Sequence, residues 1–195
     1  MRCSVEFVAD RVRQWSWDDH VHARSGDGDG DGEDGVGATR HAVGVDPQFF
    51  DGVAEACRGL SPSDLGPVQV RSHRYGMKAW FGGVVPDKEH YEAQVVGAQH
   101  VPGASLLAVE VGFHAEHPKV EENQAVIDLL LAAEPTWRTE LGDQVVVGEF
   151  LGRADRWRRA SETWLDPNLD DDELVLDLAL RLVDYFTVFE PLRRA

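Results

Sequence analysis

Leu107-Ala108-Val109-Glu110-Val111-Gly112-Phe113-His114 alternates large apolar residues with polar or small ones at a strict period of two. That is the period of a strand, in which successive side chains leave opposite faces. Leu107, Val109, Val111 and Phe113 therefore face a core, while Glu110, His114 and the following Glu116 share the opposite face. A strand with one apolar face needs neighbours. Residues 68–75, 77–85 and 90–96 upstream, and 145–151 downstream, are apolar-rich, have Gly or Pro nearby and read as strands. Val101-Pro-Gly-Ala104 predicts a hairpin turn leading into the quoted strand.

Further out, the spacing changes to that of helices. Asp46-Pro47 reads as an N-cap followed by Pro at the first helical position, with Phe49, Phe50, Val53, Ala54 and Cys57 on one face and Gly59 as the stop. Residues 121–133 carry Ala125, Val126, Leu129, Leu130 and Ala133 at helical spacing, closed by Pro135, and residues 136–141 add a turn before Gly142. Residues 170–190 start with Asp170, Asp171, Asp172 and Glu173 at the positive helix end. Their stripe is Leu174, Leu178, Leu182, Tyr185 and Phe189, and Pro191 follows. The expected fold is α+β: an antiparallel sheet of about five strands, helices packed on one face, and a C-terminal helix integral to the core.

Three segments follow. Residues 1–24 hold a short amphipathic helix marked by Val5, Val8, Val12 and Trp15. Residues 25–44 are an Asp/Gly-rich linker with little to bury, expected to be disordered. Residues 45–195 form a single domain. Within the linker, Asp27, Asp29, Asp31 and Gly32 resemble half of an EF-hand loop, but the position that should hold a bidentate Glu is Ala38. The calcium motif fails.

Composition limits the partners. A formal charge of -16 argues against general nucleic-acid binding and against anionic membrane surfaces, and favours a basic protein partner or a small ligand. No apolar run reaches the length of a membrane span, and no secretory signal is legible, so the cytoplasm is the expected location. Cys3 and Cys57 are the only cysteines, which leaves no disulfide framework and no four-cysteine zinc site.

Two polar groupings stand out. On the central hairpin, His90, Glu92 and Gln94 share one face of their strand, as Glu110, His114 and Glu116 do of theirs. If pairing brings those faces together, imidazoles and carboxylates converge in a set suited to Zn2+, Mn2+ or Fe2+ or to acid/base work. The candidate ligands are His90, Glu92, Glu110 and His114, with His117 joining only if the strand ends or bulges after Glu116. The second grouping is basic: Arg71, His73, Arg74 and Lys78 on the early strands, and Arg156 beside Trp157 later in the chain. Arg forks hold carboxylates and phosphates, so these residues are candidates for a small anionic ligand.

Walker A, dinucleotide-binding and nucleophile-elbow motifs are all missing. The expected function is therefore that of a non-catalytic cytoplasmic domain binding a partner or small ligand. The alternative is a metal-assisted hydrolase built on the His/Glu hairpin, with Arg71 or Arg74 holding an anionic substrate.

Overall fold

A computed structural model describes residues 45–83, 88–151 and 154–194. The amphipathic segment 1–24 and the Asp/Gly linker 25–44 lie outside the described residues. The elements run α1 (Phe49–Leu60), β1 (Val68–His73), β2 (Gly76–Phe81), β3 (Glu89–Gly97), β4 (Leu107–Ala115), α2 (Val120–Ala132), α3 (Glu134–Leu141), β5 (Val146–Phe150), β6 (Ala154–Leu165) and α4 (Asp172–Arg193). They build an α+β fold with one antiparallel sheet in the order β1-β2-β3-β4-β6-β5. The quoted strand is β4, fully buried along its length. After β4 the chain crosses through α2 and α3 to the edge strand β5. It returns by a hairpin to place β6 between β5 and β4.

The sheet thus has six strands rather than about five. The additional strand is β6, whose sequence Ala-Asp-Arg-Trp-Arg-Arg-Ala-Ser-Glu-Thr-Trp-Leu shows no apolar alternation because polar groups are buried on both of its faces. Arg159 and Ser161 lie towards one face and Glu162 towards the other, all buried. Glu162 is tolerated because Arg181 and the Trp164 indole N–H donate to it.

One face of the sheet carries the core. Tyr91, Val109, Val111 and Phe113 meet Phe50 and Val53 of α1, Ile127 and Leu130 of α2, and Leu178, Leu182 and Phe186 of α4 in one continuous apolar cluster. Four of the five α4 stripe residues, Leu178, Leu182, Tyr185 and Phe189, are each 0% exposed, and Leu174 is half-buried against the same cluster. Burying each such side chain contributes roughly 1.5–3 kcal/mol. Asp171 caps α4 by accepting the Glu173 N–H at 3.0 Å.

Some boundaries differ from the sequence expectation. Pro135 sits in the first turn of α3 instead of closing the preceding helix, since the missing N–H has no intrahelical partner there anyway. Pro191 lies within the last turn of α4, which runs on to Arg193. Helix α1 starts at Phe49. Asp46 precedes it and accepts the Gln48 N–H at 2.8 Å. The β3–β4 connection is longer than a tight turn and includes a 3-10 turn at Ala98–His100. Among the described residues, no helix is long and apolar enough to cross a membrane.

Candidate metal centre on the polar face of the sheet

Strand alternation decides what lies opposite the core. In the β3–β4 register His90 faces His114, Glu92 faces Gly112, and Gln94 faces Glu110. All of these lie on the face turned away from the helices. The pairing continues outward: Lys78 lies opposite Glu92 and Arg71 opposite Lys78, while on the far side Ser161 pairs with Gly112 and Arg159 with His114. A face of this kind is normally solvated in an antiparallel sheet. Here it is not, because His90, Glu92, Gln94, Glu110, His114, Arg159 and Ser161 are all buried.

Gly112 makes the central approach possible. With φ at +155°, it lets β6 come so close that an added Cβ would lie 2.4 Å from the Ser161 Cβ. Beside it, His90, Glu92, His114 and Glu116 each offer one donor atom, and the four atoms lie within 4.8 Å of one another. Glu116 enters because it continues the alternation of Glu110 and His114 one residue past the end of β4, bringing its carboxylate to 3.9 Å from His114 Nδ1. The imidazoles stack at 5.7 Å between centroids with 22° between planes.

The two nitrogens of His114 have separate tasks. Nε2 lies 2.9 and 3.0 Å from the two oxygens of Glu110, while Nδ1 faces Glu92 at 3.7 Å and Glu116 at 3.9 Å. Glu110 in turn accepts from Gln94 Nε2 at 3.2 Å. A carboxylate behind one imidazole nitrogen, fixing the ring so that the other faces an ion, is the usual support of a metal-bound histidine. Phe150 walls the site 5.0 Å from the His114 ring, with Trp157 6.1 Å beyond Phe150. Lys78 reaches in from β2, with Nζ 2.9 Å from His90 Nε2, 3.1 Å from Glu116 and 3.4 Å from Glu92.

Charge follows from this packing. Burial pushes the Glu92 carboxyl up, but His73, His90, His114 and Lys78 outweigh it and hold the group well below the ordinary carboxylate range. Burial pushes His114 down, and the carboxylates of Glu110, Glu92 and Glu116 more than reverse this, so its proton is held more firmly than usual.

The other buried carboxylates differ. Glu190 accepts from Tyr91, Arg193 and Arg194, and Glu162 from Arg181 and Trp164. These are donor–acceptor pairs that complete each other. Among the described residues, only the polar-face cluster brings two imidazoles and two carboxylates to within 4.8 Å of one another.

The remaining candidates are scattered. His117 lies apart from the four-residue group, 2.9 Å from Glu89 and 3.7 Å from Glu122. Glu110 stands behind His114 and not within the four. His73 is at the rim, 3.9 Å from Glu92. Arg71 is exposed at the same face, Arg74 lies over the Tyr75 ring at 5.3 Å, and Arg156 is exposed on β6. The early basic residues and Arg156 are not brought together. Lys78 and Glu116 enter the site although neither is among the ligands read from sequence; strand alternation already placed Glu116 on the correct face. Comparison of the chain with known protein families, curated proteins and solved structures finds no match.

Proposed function

We propose that this protein binds a divalent transition-metal ion on the polar face of its sheet through His90, Glu92, His114 and Glu116. The convergence of those four donors within 4.8 Å, three of them buried, carries the reading. Two imidazoles with two carboxylates favour Zn2+, Mn2+ or Fe2+ over Mg2+ or Ca2+, which take mainly oxygen ligands. Glu110 supports His114 from behind, and the buried Phe150 ring packs 5.0 Å from the His114 ring. The protein is read as a binding domain of the cytoplasm, with a small anionic ligand or a basic partner as the further species it meets.

Metal-assisted hydrolysis is the second reading. One observation favours it: Arg71 is exposed on the same face, directly opposite Lys78 in the β1–β2 register, where an anionic group beside the ion would meet it.

Protein purified without chelator and analysed for elements tests the first reading. Near-stoichiometric transition metal is expected, removable by chelator and lost in His114→Ala. Added Zn2+ or Mn2+ should raise the melting temperature of the stripped protein in a concentration-dependent way. A metal-free protein whose melting temperature ignores both ions overturns the proposal.

A further inference from the structure

We infer that Lys78 is the built-in occupant of this site, its ammonium holding the place of the divalent ion until the ion displaces it; the inference rests on the metal reading above. Lys78 Nζ touches three of the four donor residues, at 2.9 Å from His90 Nε2, 3.1 Å from Glu116 Oε2 and 3.4 Å from Glu92 Oε2. An ammonium group has three donors and no acceptor. In the tautomer of His90 that carries its proton on Nδ1, this contact is a donation to the Nε2 lone pair, which is the lone pair a metal would take. At Glu92 the ammonium meets Oε2, the same oxygen that faces His90 and His114, whereas at Glu116 it holds Oε2 and leaves Oε1 towards the histidines. A metal and Nζ cannot share the one lone pair of His90 Nε2, and two cations cannot occupy the same point between the donors.

The side chain has a way out. Lys78 is 25% exposed, and its four-carbon stem rotates freely. Outward it approaches Arg71, directly opposite on β1. Like charges facing each other across strands repel. The inward position is favoured while no ion is present, and release requires an ion that gains more from the donors than the ammonium does. Ions with strong affinity for imidazole meet that condition, and Mg2+ and Ca2+ do not. Lys78 thus makes the site selective and keeps its carboxylates neutralised when empty.

Two measurements test this. In titration calorimetry with Zn2+ alone, Lys78→Met, which keeps the stem and loses the charge, should bind about tenfold more tightly or better than wild type, because a cation competing a few ångströms away is gone. Lys78→Gln should behave alike, which guards against a folding defect in either variant. On the unmodified protein, the only lysines are Lys78, Lys88 and Lys119, so amine labelling read by mass spectrometry resolves each one. Saturating Zn2+ should speed labelling of Lys78 relative to the exposed Lys119. If Zn2+ binds wild type and variants equally, and Lys78 labelling does not rise, the metal reading survives and the inference about Lys78 is overturned. If Zn2+ binds none of them, both fall.

Discussion

Gly112 shows how one residue sets the geometry of the site. It sits between Glu92 on β3 and Ser161 on β6, and a methyl group there would also lie 2.5 Å from the Ala160 carbonyl oxygen. Gly112→Ala should cost about 2–4 kcal/mol, from overpacking plus an unfavourable φ, read as a lowered urea midpoint with metal removed. His114 gives a pH signature in the metal-free protein. Its folded value is raised above the ordinary 6.5, so its ion pairing contributes in full below pH 6.5 and is lost as pH rises through the folded value. Glu92 runs the other way, its contribution being present above the ordinary 4.5 and lost as pH falls through its lowered folded value. The stability advantage of wild type over His114→Gln should therefore be greatest in mild acid and shrink above neutrality, in thermal melts with chelator. An advantage that grows with pH would show that His114 is not held protonated. At this scale the sequence was informative about side-chain faces and silent about reach. Alternation placed His90, Glu92, Glu110, His114 and Glu116 on the two paired polar faces. It could not show that a lysine on the neighbouring strand enters their midst, because that depends on register across β2–β3.

Elements were legible where one face is apolar. β4 and α4 bury large hydrophobic residues at periods of two and about 3.6, and those periods are visible without a structure. β6 was not legible, since its inward residues on the core side include Glu162 and on the other side Arg159 and Ser161, so burial there depends on partners far along the chain. The same dependence holds the β3–β4 connection. Asp166, just past the end of β6, accepts backbone N–H groups of Ser105, Leu106 and Leu107, with contacts of 2.7 to 3.2 Å, and these bonds hold its carboxyl below the ordinary value. This clamp is distant in sequence and involves one exposed carboxylate, so no local pattern announces it. Asp166→Ala should accelerate hydrogen exchange at the Ser105, Leu106 and Leu107 amides while leaving β3–β4 amides near His90 and His114 protected. Uniform loss of protection across both strands would mean that the clamp holds the whole hairpin and not just its connection.

At the scale of the molecule, the question is whether α4 is a wall of the core or an arm that can be removed. It supplies Leu178, Ala179, Leu182, Tyr185, Phe186 and Phe189 to the single apolar cluster that also contains Tyr91, Val111 and Phe113 from the sheet. Phe186 lies 4.7 Å from Tyr91 and Phe189 lies 6.2 Å from Phe113, ring to ring. Polar ties follow the same path: Tyr91 donates to Glu190 at 2.8 Å, and Arg193 reaches Glu89 at 2.7 Å. Truncating one buried leucine costs on the order of 2–5 kcal/mol, against a typical domain stability of about 5–15 kcal/mol. Losing six buried side chains and the partner of a buried tyrosine hydroxyl therefore exceeds what the remaining contacts supply. A chain ending at residue 169 should be unfolded or aggregated, and the proposed metal site on the opposite face of the sheet should vanish with it, because β3 and β4 lose the layer that holds them. Cys57 provides the readout. Burial pushes its thiol up to about 12, and it packs against the Ala179 carbonyl of α4, so in the intact protein it should resist alkylation until the domain opens. In the truncated chain it should alkylate at the rate of an unfolded peptide. If residues 1–169 instead stay monomeric, melt cooperatively and protect Cys57, the helix is a detachable interaction element and the core is formed by the sheet with α1, α2 and α3 alone.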